Sequence, residues 1–196
     1  MFKGEPGIDE GGVRKEFFQL LIKELFNPNY AMFNFNEKNV MYYLNGLSHE
    51  PNINFELIGI LMGLAIYNNI ILDVSFPQAI YKLLLFEDPN FDDLKEWQPD
   101  IAQSLEFILN YNDELPLEEA LGMTFTVEVE NFGEKVDFEL KPNGGEIFVT
   151  EQNREEYVRL YIQYTFVKQC EDKLRAFKRG FYRVCDETLM IQLFKP

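Results

Sequence analysis

The residues whose types and spacing could do chemistry lie near the start of the chain, in GIDEGGVRKEFFQLLIKELF, residues 7–26. The carboxylates of Asp9 and Glu10 could hold a metal ion, and Gly11 and Gly12 could cradle a phosphate at a helix start. The acids would repel a phosphate, and no nearby His, Cys or second acidic pair completes a metal shell. The pattern therefore favours a tight turn that leads into an amphipathic helix, with the acids complementing the positive helix end.

Other reactive groups are few. His49 is the sole histidine, which excludes catalytic triads and zinc sites built on several histidines. Cys170 and Cys185 form no CxxC pair, and a small buried hydrophobe is the default role for each. Asp186 and Glu187 would raise the pKa of Cys185 rather than lower it. Nucleotide-binding and serine-hydrolase motifs are absent as well, so the residues predict no metal, no cofactor and a binding role.

Composition points to an acidic globular chain. It has 196 residues, a hydrophobic content of 46% and a net charge of −15. This charge argues against nucleic acid as a partner, because phosphate binding needs a basic face, and it suits a basic protein surface. The polar, acidic N-terminus is not a signal peptide, and the two cysteines fit a reducing compartment, so we expect a location in the cytoplasm or the nucleus.

One apolar run, residues 57–67 (LIGILMGLAIY), invites comparison with a membrane helix. A membrane span needs about 20 apolar residues, so the run is too short and predicts a buried helix instead. Gly59 and Gly63 within it form a GxxxG pair, which lets a second helix approach closely.

The elements that must position these groups are mainly helical in the first ninety residues. Apolar spacing predicts a helix over 13–26, which Phe17 and Phe18 anchor to the rest of its subdomain. Weak alternation over 30–47 predicts a short hairpin or an irregular segment. A first-turn proline predicts a further helix over 77–86.

The second half of the chain mixes helix and strand. A proline-opened amphipathic pattern predicts a helix over 100–111. Two alternating segments, 124–130 and 135–141, flank a turn and predict a hairpin. A helical pattern then runs from 153 to about 183. The sequence thus predicts an α+β insert between helical segments.

Five segments occur in an order and spacing that carry a family resemblance: GIDEGGVRKEFFQLL, LFNPNYAMF, LIGILMGLAIYNNIILDVSFP, NREEYVRLY and LRAFKRGFYRV. The chain resembles the N-terminal lobe of HECT-type ubiquitin ligases. The resemblance implies a mainly α fold of the α+β class, with a large helical subdomain over residues 1–90 plus 167–196. It also implies a small inserted α+β subdomain over residues 91–166, which contains the hairpin and binds the ubiquitin-conjugating enzyme.

In that family the N-lobe recruits the conjugating enzyme, and a cysteine of a separate C-lobe accepts ubiquitin by transthiolation before it passes to substrate lysines. The implied partners are a ubiquitin-conjugating enzyme, ubiquitin carried on it, and protein substrates bound through regions outside this chain. The family continues beyond the end of this sequence, and neither Cys170 nor Cys185 lies in the motif of the catalytic cysteine. We therefore expect no catalytic residue here and no ubiquitin thioester on this chain alone.

The resemblance assigns an apolar groove that binds the conjugating enzyme to eight residues: Ile101, Leu105, Ile108, Tyr111, Leu121, Met123, Tyr157 and Tyr161. Taken alone, the same stripes would suit the subdomain's own core, since apolar helix faces usually point inward. The resemblance favours the docking role above all for Leu105 and Tyr161.

Three alternatives stay open. The acidic loop NDELPLEEAL, between the groove segments, either steers a basic partner or is merely solvated. The basic cluster from Lys168 to Arg183 either balances its own helix or contacts a second protein. Finally, the chain either docks a conjugating enzyme or is a non-catalytic interaction scaffold that keeps the lobe's fold without the groove.

Overall fold

A computed structural model describes residues 12–131, 134–188 and 190, so Asp9, Glu10 and Gly11 lie outside the described residues. The fold is mainly helical with two small antiparallel hairpins, which confirms the predicted α+β class. The helices are α1 (Gly12–Leu25), α2 (Asn52–Tyr67), α3 (Gln78–Leu84), α4 (Phe91–Trp97), α5 (Pro99–Asn110), α6 (Leu117–Leu121), α7 (Arg154–Phe166) and α8 (Glu171–Phe181). The strands are β1 (Phe33–Asn36), β2 (Met41–Leu44), β3 (Thr126–Asn131) and β4 (Glu134–Glu139).

The chain divides into two compact units. Unit 1 takes its described residues from Met1–Phe35, Tyr42–Ser75 and Asp172–Pro196, and unit 2 from Asn36–Met41 and Phe76–Glu171. The unit bounds differ from the predicted subdomain bounds chiefly at residues 76–90, which fall in unit 2. The ammonium of Lys82 on α3 lies 2.7 Å from the buried carboxylate of Asp93 on α4, so α3 is bound to the helix that follows it.

The core of unit 1 includes a cluster between α1 and α2. Phe18 is 5% exposed and belongs to the same buried cluster as Leu61 and Ala65. Phe17 is 55% exposed, so the prediction that it helps Phe18 to anchor the helix was wrong. Successive helix residues point about 100° apart, and the face that presents Phe18 to the core turns Phe17 to solvent.

Helices α2 and α8 cross in close contact through glycines on both sides. A Cβ atom on Gly59 would lie 2.7 Å from the Phe181 backbone nitrogen, and one on Gly63 would lie 3.2 Å from the Phe181 carbonyl oxygen. A Cβ on Gly180 would clash in turn with the Glu56 backbone. The predicted close approach at the GxxxG pair is therefore confirmed, and its partner helix is α8.

A buried carboxylate clamps this crossing. Glu56 is 2% exposed, and one of its oxygens accepts a hydrogen bond of 2.7 Å from Nε of Arg179. A guanidinium nitrogen of Arg183 lies 2.7 Å from the other oxygen. The hydrogen bond from Arg179 lowers the pKa of Glu56 below its usual 4.5, although burial opposes the shift. The charged form therefore stabilises the folded state.

Most of the basic cluster is used in the same way, by partners within the chain. The Lys173 ammonium donates to the Glu50 carbonyl oxygen over 2.8 Å, and Arg175 lies 3.5 Å from Asp172. Lys168 lies 3.4 Å from Glu171. These pairs favour the structural role of the cluster over a second protein contact.

The long helix predicted over 153–183 is divided in two. Helix α7 ends at Phe166, a 3-10 turn spans Lys168–Cys170, and α8 begins at Glu171. Val167 has φ −124° and ψ −60°, outside helical geometry, and this breaks the run. The apolar spacing continues across the break, so the sequence pattern alone reads as a single helix.

Within the described parts of the chain, no helix is both long enough and apolar enough to cross a membrane.

We expect the substitution Gly59→Ala to lower the free energy of unfolding by about 1–3 kcal/mol, because its Cβ would push α2 away from α8. Urea unfolding followed by circular dichroism measures this. Gly12→Ala is the matched control, since nothing lies within 4 Å of a Cβ at that helix position. Equal midpoints for the wild type and Gly59→Ala would contradict the tight crossing.

A second expectation concerns acid stability. Because the folded-state pKa of Glu56 lies below its usual value, its stabilising contribution is complete above about pH 4.5 and is lost as the pH falls through the folded value. Glu56→Gln should be less stable at neutral pH and should lose less stability on acidification. Thermal unfolding between pH 7 and pH 3 measures both, with the exposed Glu16→Gln as control. Parallel pH profiles for the wild type and Glu56→Gln would refute the role of this carboxylate.

Candidate functional site

The predicted groove residues lie on three segments of unit 2: α5 with Tyr111 after it, the end of α6 with the residues that follow it, and α7. A guanidinium nitrogen of Arg154, the first residue of α7, donates to the Tyr111 carbonyl oxygen at 2.7 Å and to the Ile108 carbonyl oxygen at 3.3 Å. These carbonyls lie at the end of α5, where helix carbonyls lack partners within the helix. The side chain of Arg154 thus joins the start of α7 to the end of α5.

Glu151 joins the third segment to this pair. Its carboxylate accepts a hydrogen bond of 2.8 Å from the backbone N–H of Leu117, the first residue of α6. The backbone N–H groups of Glu151 itself and of Leu117 lower the pKa of this carboxyl, while burial opposes them. Leu117 is 1% exposed and fastens α6 to the core.

Aromatic rings from α7 extend the cluster. The Phe125 and Tyr157 rings meet edge to face at 5.5 Å, and the Tyr157 and Tyr161 centroids lie 6.2 Å apart. Burial raises the pKa of Tyr157 to about 12, with a smaller effect from Tyr161, and burial also raises the pKa of Tyr161. Both phenols are neutral at physiological pH, so they offer apolar surface and hydroxyl groups rather than charge.

The structure divides the eight predicted residues into two sets. Four are buried, each at most 7% exposed: Leu105, Ile108, Tyr111 and Tyr157. The other four keep accessible surface: Ile101, Leu121, Met123 and Tyr161. The buried set shapes the surface from beneath and leaves little side-chain area for direct contact. Ile101 lies two helical turns before Ile108, about 10 Å along the axis.

Sequence reasoning missed three exposed apolar side chains beside these residues. Phe107 is 56% exposed and meets the Tyr111 ring edge to face at 5.9 Å. Leu115 is 48% exposed, and its carbonyl oxygen accepts a 2.9 Å hydrogen bond from the Tyr111 hydroxyl. Phe148 is 52% exposed, and its backbone forms an isolated antiparallel β-bridge with Thr124. The exposure of these side chains depends on packing against residues distant in sequence, which no local pattern shows. The one signal in the sequence was that Phe107 lies four residues before Tyr111, a spacing that places both rings on the same side of the helix.

We name these seven accessible residues the apolar surface of unit 2: Ile101, Phe107, Leu115, Leu121, Met123, Phe148 and Tyr161. Exposed apolar and aromatic side chains are typical of protein-binding surfaces. Such residues supply most of the energy at binding hot spots.

Charge is distributed unequally between the units. Unit 2 holds 22 of the 33 acidic and 8 of the 18 basic residues, a net −14, while unit 1 holds the other 11 acidic and 10 basic residues, a net −1. Nearly all of the net negative charge, −14 of −15, therefore lies in the unit that carries the apolar surface. An acidic unit attracts basic partner surfaces and raises their association rate.

Reactive chemistry is poorly supported by the two cysteines. Burial raises the pKa of Cys170 to about 12 and also raises the pKa of Cys185, whose thiol lies 3.8 Å from the Gly63 carbonyl oxygen. Burial, rather than the neighbouring acids that the sequence suggested, is the cause at Cys185. The thiolate is the nucleophilic form, so neither thiol is activated. Across the described ranges, no group of three His, Cys, Asp or Glu side chains is placed to hold a metal ion.

Comparison with known proteins gives this geometry a context. The sequence model of the HECT-domain (ubiquitin-transferase) family matches residues 19–196. The probable E3 ubiquitin-protein ligases HERC4 and HERC3 of Homo sapiens are 42% and 41% identical to this chain, in alignments that cover 100% of it and 18% of each relative. The probable E3 ubiquitin-protein ligase HECTD2 of Homo sapiens is 38% identical over 98% of this chain and 26% of its own length.

The chain thus spans about a fifth to a quarter of these relatives. The family match covers most of the sequence, and the aligned identity runs along essentially all of it. The chain belongs to the HECT-domain family of ubiquitin transferases.

Proposed function

We propose that this chain recruits a ubiquitin-conjugating enzyme for a HECT-type ubiquitin-protein ligase, and that the enzyme docks on the apolar surface of unit 2. The observation that carries this proposal is the convergence of α5, α6 and α7 at Arg154 and Glu151. These partly buried contacts join segments of unit 2 that carry the accessible apolar side chains.

Physical chemistry supports a protein partner over a small molecule. Exposed aromatic and aliphatic side chains, among them Phe107, Phe148 and Leu121, gain free energy when a partner excludes water from them. The underlying side chains of Leu105 and Tyr157 are packed, so little reorganisation is required on binding. The net charge of unit 2 favours a partner with a basic face.

In this proposal the reaction chemistry takes place on another part of the ligase. Ubiquitin leaves the thioester of the conjugating enzyme, passes by transthiolation to a cysteine of a C-lobe, and then reaches a substrate lysine. Cys170 and Cys185 take no part, because both thiols are buried and protonated at neutral pH. The partners are the conjugating enzyme, the ubiquitin it carries and protein substrates held by other regions.

One observation favours a second candidate, a non-catalytic interaction scaffold. Half of the predicted groove residues are buried, as they would be if the stripes served only as core. A scaffold would keep the fold and bind no conjugating enzyme. Direct titration distinguishes the two candidates.

We expect at least one member of a panel of ubiquitin-conjugating enzymes to bind this chain, with Tyr161→Ala weakening it about tenfold or more, as at a hot-spot aromatic residue. Isothermal titration calorimetry measures the affinity. Tyr67→Ala is the matched control, because Tyr67 is a 77% exposed tyrosine of unit 1. Circular dichroism of each variant shows whether the fold is retained.

Three results are informative. No binding by any member would reject the docking proposal in favour of the scaffold. Equal binding by the wild type and a folded Tyr161→Ala would reject the assigned surface. Equal weakening by Tyr67→Ala would show that the effect is not specific to unit 2.

We further expect no ubiquitin thioester on this chain. Incubation with a ubiquitin-charged conjugating enzyme, followed by electrophoresis without reductant, should show no adduct, since neither buried thiol is a competent nucleophile. Discharge of the same enzyme onto free cysteine is the positive control. A reductant-sensitive ubiquitin adduct that disappears in Cys185→Ser would overturn this expectation.

A further inference from the structure

A cleft of about 530 Å³ lies beside the C-terminal end of α5. It is lined by Glu106, Phe107, Tyr111, Asp113 and three amide side chains, with no basic residue among its lining. Phe107 is 56% exposed, and its ring meets Tyr111 at 5.9 Å. The cleft thus combines an accessible aromatic ring with carboxylates.

Each component of the cleft favours a cation. Aromatic rings attract ammonium and guanidinium groups through their negative faces. The amide oxygens of the lining side chains can accept further hydrogen bonds from such a group. The aromatic rings suit the apolar stem of a Lys or Arg side chain, and the carboxylates and amides suit its charged head.

The two carboxylates differ in availability. Glu106 already pairs with Lys95, whose ammonium lies 3.1 Å away. Asp113 makes no hydrogen bond or ion pair with the described residues. Its charge contributes, after burial, to the raised pKa of Tyr111, which places the carboxylate within electrostatic reach of that phenol. Asp113 is therefore the carboxylate open to an external cation.

We propose that this cleft receives a single Lys or Arg side chain of the docked conjugating enzyme, packed against Phe107 and paired with Asp113. The inference rests on the proposed function and specifies the chemistry of the partner: its docking face must present a basic side chain at this end of α5. The contact would select among conjugating enzymes by charge, whereas the other residues of the apolar surface supply hydrophobic burial.

The test uses a conjugating enzyme that binds the wild type, and two conservative variants. Phe107→Leu keeps apolar volume and removes the aromatic face, while Asp113→Asn keeps shape and removes the charge. Each should weaken binding about two- to five-fold at low salt. High salt should abolish the difference between Asp113→Asn and the wild type, because it screens the ion pair. Asp88→Asn, an exposed acid elsewhere in unit 2, is the control and should bind like the wild type.

A second measurement isolates the cation. Blocked arginine and blocked citrulline are isosteric probes that differ in charge, and each is titrated at millimolar concentration while the ring resonances of Phe107 are followed by NMR. Arginine should shift these resonances more than citrulline in the wild type, and the difference should shrink in Asp113→Asn. Equal shifts by both probes would overturn the inference.

The outcomes separate this inference from the proposed function. If both conservative variants bind as tightly as the wild type while Tyr161→Ala fails to bind, the cationic contact is refuted and the docking proposal stands. If no conjugating enzyme binds the wild type, the docking proposal fails and this inference fails with it.

Discussion

The crossing of α2 and α8 is the constraint on which unit 1 depends. Gly59 and Gly180 remove the side chains that would hold the two backbones apart, and Glu56 binds the arginines of the opposite segment across the contact. Burying a carboxylate costs free energy unless the group is paired and hydrogen-bonded. Because the helix crossing buries Glu56, it makes the ion pairs with the arginines necessary, and these pairs in turn stabilise the crossing. Charge and close packing therefore act together at this crossing.

Unit 2 combines a packed interior with apolar side chains that stay accessible to solvent. Arg154 and Glu151 satisfy backbone groups at the ends of α5 and α6, and buried rings such as Phe125 fill the space beneath. Helix α5 shows the division clearly: Leu105 points inward, while Phe107, two residues later, points to solvent. One amphipathic helix thus serves both the core and the surface.

Much of this fold could be predicted from the sequence, and its limits have physical causes. The glycine pair at Gly59 and Gly63 correctly indicated a close helix contact, since two glycines about one helical turn apart leave room for a second backbone. Phe17 was wrongly predicted to anchor α1, because periodicity alone does not show which of two adjacent aromatic residues faces the core. The helix break at Val167 could not be predicted, because the apolar spacing continues across it. The division of the groove residues into buried and accessible sets depends on contacts between distant residues, which no local pattern encodes.

The connection between Glu56 and Arg179 also sets an order of events during synthesis. The two residues are 123 positions apart. At translation rates of about 5–20 residues per second, Arg179 is synthesised roughly 6–25 seconds after Glu56. Most of unit 2 is contiguous and lies between them, so it can fold on the ribosome while the glycine-lined face of α2 is still uncovered. During this interval the apolar surface of α2 that later contacts α8 is exposed, and exposed apolar surface of this kind is what nascent-chain chaperones bind.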